Sequence, residues 1–205
     1  MSSTELSRRE RKKDETRERI IGAAIRLFTE KGFQSTTVDE IAEAADVAKG
    51  TFFNYFPRKE SVLDALGEQV IIEMEEVTRG LLARPGTAPE KIHRFASEIT
   101  RRHSENRELS RVFVQRMLSN FQEPIHSTAG RIRELLRSLI EQGQAAGEIR
   151  PLDAARASAV IQGAAIGTLF AWFCCEPGAF DLEPELQERI SIILEGLTPR
   201  KRAGR

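Results

Sequence analysis

Between Thr36 and Lys59 the chain reads TTVDEIAEAADVAKGTFFNYFPRK, a stretch that suits two short helices joined by a tight turn. Thr37 stands where a hydroxyl caps a helix, and Glu40, three residues on, can answer it in a capping box. Val38, Ile41, Ala42 and Ala45 then recur at helical spacing and face inward. The two alanines leave room for another helix to cross closely. Asp46-Val47-Ala48 makes the turn, with Val47 as its apolar plug. A second helix is predicted from about Lys49 to Phe56, with Phe52 and Phe56 on the face that meets the first. Pro57 then forces the chain out of the helix, and Lys59 starts the next one.

The remaining side chains of the second helix suit nucleic acid. Lys49 and Lys59 can neutralise phosphates and release counterions, which gives affinity independent of sequence. Thr51 and Asn54 can reach base edges or phosphate oxygens. Gly50 lets the backbone come close. Tyr55 is the only tyrosine in a chain with 11 phenylalanines, which suggests a use for its hydroxyl, most simply on a phosphate. Taken singly, these residues also fit a plain solvated helix face. Taken together, the cap, turn, core face and basic brackets describe a helix built for a DNA groove.

The segment resembles the DNA-binding domain of the TetR family of bacterial transcription regulators. The matching residues are Thr37-Val38, Ile41-Ala42, Val47-Ala48-Lys49-Gly50-Thr51 and Phe56-Pro57-Arg58-Lys59-Glu60. The upstream run from Ile20 to Phe33 fits as well, with Gly32 as a left-handed C-cap. The likeness covers roughly residues 16 to 66 and implies DNA contact by Thr37, Lys49, Gly50, Thr51, Asn54, Tyr55 and Lys59. Two positions depart from the family pattern. Ala48 replaces a capping serine, a loss of about 1 kcal/mol unless Asp46 substitutes. Phe53 replaces a tyrosine that contacts phosphate; it cannot donate a hydrogen bond and is expected to pack.

Charge is distributed unevenly along a chain that is neutral overall. The run Arg8-Arg9-Glu10-Arg11-Lys12-Lys13 and the tail Arg200-Lys201-Arg202-Ala203-Gly204-Arg205 are basic, and the middle is mildly acidic. The expected division is a basic flexible arm at 1–15, a helix-turn-helix domain at 16–62, a helical domain at 63–198 and a basic tail at 199–205. The arm can lie along DNA or enter the minor groove, or it can serve only for solubility. The first thirty residues are charged throughout, so no signal peptide is expected. The two cysteines, Cys174 and Cys175, are adjacent, which gives no disulfide framework. A cytoplasmic location is expected. The uncharged run from Ala157 to Cys175 is long enough for a membrane helix. It is rich in Ala, Gly, Ser, Thr and Gln, however, and a helix buried between subunits fits it better.

Beyond Glu60 no strand alternation or hairpin signal appears. Helices are predicted near Lys59 to Ala83, Pro89 to His103, Arg107 to Phe121, Pro124 to Gly147, Asp153 to Cys175 and Pro184 to Leu197. The expected fold is all-α: a three-helix DNA-binding head and a C-terminal helical ligand-binding and dimerisation domain. Val160, Ile161, Ala164, Gly167 and Ala171, with Ile190, Ile193, Leu194 and Leu197, form stripes suited to a four-helix dimer seam, the arrangement the resemblance implies, with the ordinary core of one subunit as the alternative. Gly163 and Gly167 permit close approach. Dimerisation also supplies specificity, since one short recognition helix reads few base pairs. Phe95, Phe113, Met117, Phe121, Phe170, Trp172 and Phe173 are the candidates to line an effector cavity, with ordinary core as the alternative for each.

The function expected is a repressor released from a palindromic operator in double-stranded DNA by a small apolar or amphipathic effector. No phosphate loop, HExxH, CxxC or GxSxG is present, so no catalytic residue, resident cofactor or metal is expected. His93, His103 and His126 are too scattered for a metal site, and the cysteine pair is expected to be buried. The competing reading is a constitutive architectural or protein-interaction factor that binds DNA in the same way. A ligand-lined cavity would favour the first and a filled core the second.

Overall fold

The computed structural model describes residues 8–119 and 127–197, and every regular element among them is an α-helix. Helix α1 (Arg8–Lys31) buries Ile20, Ile21, Ala24 and Phe28 along one face. Residues 8–15, expected in a flexible arm, are its first turns. It stops at Gly32, whose φ of +85° suits glycine and whose N–H bonds the Phe28 carbonyl at 3.1 Å. Helix α2 (Val38–Ala44) starts from the anticipated capping box: Glu40 N–H donates to Thr37 Oγ1 and Thr37 N–H to Glu40 Oε2. Asp46, at φ +52°, turns the chain into α3 (Lys49–Tyr55). Ala48 gives α3 no side-chain cap and Asp46 does not substitute; its carboxylate lies 3.9 Å from Arg19 instead.

Helix α4 (Glu60–Ala83) is an unbroken rod of 24 residues. Val62, Leu63 and Ala65 belong to the core of the head, with Ile41, Phe52 and Phe56. Met74 and Leu81, further along the same rod, belong to the core of the body. The domain boundary, expected at 62, therefore falls inside a continuous helix.

The body is built from α5 (Ala88–Glu105), α6 (Arg107–Ser119), α7 (Thr128–Ala145), α8 (Ala154–Cys174) and α9 (Leu182–Leu197). Thr87 and Glu90 form a second capping box, Ser127 caps α7 through Gly130 N–H, and Asp153 caps α8 through two N–H groups. The longest packed seams join α7 to α8, α4 to α7, α5 to α9 and α8 to α9. Gly143 is required where α7 meets α5: a Cβ there would stand 2.4 Å from the Ala88 Cβ and 2.9 Å from Ile149 Cδ1. The head touches the body through α1 against α4 and α6.

Candidate nucleic-acid interface and effector cavity

On α3 the inner face is Phe52, fully buried, with Phe56 just beyond the helix. Their rings lie 5.8 Å apart between centroids. This wedge holds α3 against α1 and α2 and turns Lys49, Gly50, Phe53 and Asn54 outward, where all four are exposed. A Cβ placed on Gly50 would meet nothing within 4 Å, so the surface there is open. Thr51 is half-buried, and Tyr55 packs at the edge of the head core. Thr37 is exposed, but its hydroxyl is engaged with Glu40 Oε2 at 2.7 Å.

The two lysines bracketing α3 differ. Lys49 Nζ rests 2.8 Å from Asp39 with both groups exposed. Such a pair is weak in water and can exchange for a phosphate. Lys59, expected on a phosphate, points inward: its Nζ donates to the carbonyls of Phe33 and Thr36 at 2.7 and 2.8 Å. It fastens the loop between α1 and α2. Phe53, expected to pack, is 44 % exposed. Its position four residues after Lys49 places both on one outward face, and that spacing is the signal the sequence offers for it.

Glu40 is the electrostatic tie of the head. Hydrogen bonding by Lys31, then by Thr37 backbone and hydroxyl, holds its carboxyl down at about 2. Lys31 at the end of α1 pairs with it directly, joining α1 to the first turn of α2.

The body contains a cavity of about 90 Å³. Phe95, Phe113 and Met117, three of the expected residues, line it with Val70, Ile132 and Leu169 among others. Polar groups are few: His103, Thr128 and Gln162. Burial pushes the His103 imidazole down to about 4. Three other expected residues are elsewhere. Phe170 is 63 % exposed on the far side of α8, while Trp172 and Phe173 stand behind the cavity wall and pack with Val114, Leu169 and Leu182 in a small cluster beside it. Phe121 lies outside the described residues.

Comparison with known proteins agrees with this arrangement at both ends of the chain. A family model described as "Bacterial regulatory proteins, tetR family" matches residues 20–66, and one described as "Tetracyclin repressor-like, C-terminal domain" matches residues 85–183. The chain belongs to the TetR family of bacterial transcription regulators. Among TetR-family relatives, the uncharacterised regulator YhgD of Bacillus subtilis is 29 % identical over 75 % of this chain and 82 % of its own length. The FadR repressor of Thermus thermophilus, crystallised with lauroyl-CoA, is 29 % identical, covers 92 % of this chain and 98 % of its own, and superposes with a TM-score of 0.74. FadR of Bacillus subtilis, crystallised with stearoyl-CoA, shares the fold at 24 % identity and a TM-score of 0.72, over 88 % of this chain and 98 % of its own. The chain is therefore a DNA-binding transcriptional regulator of a family of regulators rather than enzymes.

Within this TetR-family body, helix α8 meets α7 and α9 on one side and solvent on the other. It is the one helix among the described residues long and apolar enough to cross a membrane by length and composition. Its free face carries Val160 (58 % exposed), Gly163, Gly167 and Phe170. Of the residues expected at a dimer seam, Val160 and Gly167 are exposed, while Ala164, Ala171, Ile193 and Leu197 are half-buried. Ile161, Ile190 and Leu194 are corrected: they are 3 %, 1 % and 4 % exposed within the single chain and belong to its core. Ile192, at 65 % exposed, is the outward residue of α9. The cysteines, expected to be buried, are both exposed. His93 bonds Gln187, His126 lies outside the described residues, and no group of metal-binding side chains occurs among the described residues.

Proposed function

We propose that this chain is a homodimeric, cytoplasmic repressor that leaves a palindromic operator when an acyl-bearing small molecule enters the body. The observation carrying the proposal is that Val70, on the rod that runs from the head, is part of the cavity wall. A molecule held between α4, α5, α7 and α8 bears directly on the helix that positions the head. The apolar lining suits a hydrocarbon chain, and lauroyl-CoA in the T. thermophilus relative supports an acyl compound as effector. A cavity, rather than a filled core, favours this reading over a constitutive architectural factor.

In this reading each head presents Lys49, Gly50, Thr51, Phe53 and Asn54 to the major groove, and Tyr55 flanks them. The exposed face of α8, with Ile192 of α9, meets its two-fold copy, which leaves Gly163 and Gly167 at the closest approach. The test is selection of bound fragments from random duplex DNA, then titration of the selected operator with lauroyl-CoA. A palindromic consensus that the ligand releases is the expected result. Binding without a consensus and with a steep salt dependence, or an operator complex indifferent to acyl compounds, would sink the proposal.

A further inference from the structure

The cavity has a neighbour. A groove of about 420 Å³ lies where α1, α4, α5 and α6 meet, and Ile25 and Thr29 of α1 form part of its wall. Val70, Ile99, His103 and Phe113 line both spaces, so a partition of four side chains divides them. The two spaces differ in chemistry. The cavity is walled mainly by aliphatic and aromatic carbon, whereas the groove adds Arg102, Glu105, Asn106 and Ser110.

Arg102 marks the polar side. Its Nη1 pairs with Glu73, yet its Nε is buried with no hydrogen-bond partner among the described residues. Protein interiors leave very few buried donors unpaired. His103 stands beside it in sequence and on the partition itself. Depressed to about 4 by burial, it is neutral near pH 7 and offers one donor and one acceptor. Glu73 offsets the charge of Arg102 and Arg101 pairs with Glu105, so the groove reads hydrogen-bond acceptors more than net charge.

Resting on the effector-released reading above, the geometry points to a single site of two compartments. The terminal carbons of an acyl ligand occupy the inner cavity, the rest of the chain crosses the partition into the larger groove, and its carbonyl end accepts there from Arg102 Nε. Phe113 and His103 move aside to join the spaces. The head of the ligand then lies against Ile25 and Thr29, so the same molecule touches α4 from within and α1 from the groove. An acceptor oxygen of this kind is common to a free carboxylate and a thioester.

Calorimetric titration of the full chain with laurate and with lauroyl-CoA tests the site, with melting temperature measured on every variant. Ala165 of α8 is part of the cavity wall, and Ala165→Phe fills the cavity. Thr29→Trp obstructs the groove from an exposed position, and Arg102→Lys keeps the ion pair with Glu73 while removing Nε. Expected is at least tenfold weaker binding of lauroyl-CoA by all three. Equal losses for laurate in Arg102→Lys would assign the contact to the carbonyl oxygen both ligands share; a loss for lauroyl-CoA alone would assign it to the thioester. If Thr29→Trp and Arg102→Lys bind both ligands as the parent does while Ala165→Phe does not, the two-compartment site is overturned and the effector-released reading stands. If the parent chain binds neither ligand and neither frees the operator, both fall together.

Discussion

The ammonium of Lys59 donates to the backbone carbonyl of Phe33 at 2.7 Å and lies 4.4 Å from the centroid of the same residue's ring. One side chain at the start of α4 thus fixes the loop that leads into α2. Lys59→Met removes two charge-assisted hydrogen bonds and is expected to destabilise the protein by about 2 kcal/mol. That corresponds to a fall in Tm of about 4–8 °C for a chain of this size. The salt dependence of operator binding should stay as in the parent below the melting range, because no phosphate contact is lost.

Lys49 should behave in the opposite way. Its partner Asp39 is as exposed as it is, so Lys49→Met is expected to change stability by no more than about 0.5 kcal/mol. Operator affinity should fall similarly for all sequences, and the slope of log affinity against log salt should shrink by about 1. Affinities measured over a salt series separate the two lysines; equal slopes for both variants would refute the assignment.

Phe53 is apolar and open to solvent on the outward face of α3. Phe53→Ala is expected to leave Tm within about 2 °C while weakening operator binding about tenfold, as loss of an apolar contact with a base or sugar would do. Unchanged binding would remove Phe53 from the interface.

Glu40 ties acid stability to the head. Its folded-state titration at about 2 lies below the ordinary carboxylate value of 4.5. The unfolded chain therefore binds more protons as pH falls, and the stability Glu40 contributes is complete above about pH 4.5 and lost as pH drops through about 2. Glu40→Gln should flatten the acid-unfolding profile across that window. Lys31→Ala should raise the Glu40 midpoint, readable by carboxyl NMR, since Lys31 is the largest cause of the depression.

The α8 face gives a prediction about assembly. Phe170→Asp places a charge where an apolar ring now faces solvent. Sedimentation equilibrium should show a monomer with unchanged helicity, and operator affinity should fall at least a hundredfold because one head reads only half a site. A dimer that survives this change would place the two-fold axis elsewhere.

The head is legible in the sequence because its elements are specified locally. Thr37 and Glu40 cap α2 from three residues apart, and Gly32 ends α1 by its own backbone preference. Lys59 escapes such a reading because its partners are backbone carbonyls more than twenty residues upstream, and carbonyls leave no trace in side-chain pattern. In α8 the outward Val160 and Phe170 are as apolar as the buried Ile161 and Leu169, and the polar Ser158 and Thr168 are themselves buried, so no polar marker tells buried Ile161 from exposed Val160. The cavity is harder still. Phe95, Phe113 and Met117 are legible as large apolar residues, but His103, Thr128 and Gln162 line it too, and an interior void is a property of how several helices fail to close.

In the effector-released reading proposed above, the uninterrupted α4 would act as a lever arm. At about 1.5 Å per residue its 24 residues span about 36 Å. A tilt of about 5° about its far end would carry the head by about 3 Å, close to the roughly 3.4 Å that separates neighbouring bases along a strand. A repressor built this way has no need to unfold or to hide its recognition helix. In the proposed dimer, shifting each half out of register by about one base step would be enough to lose the operator.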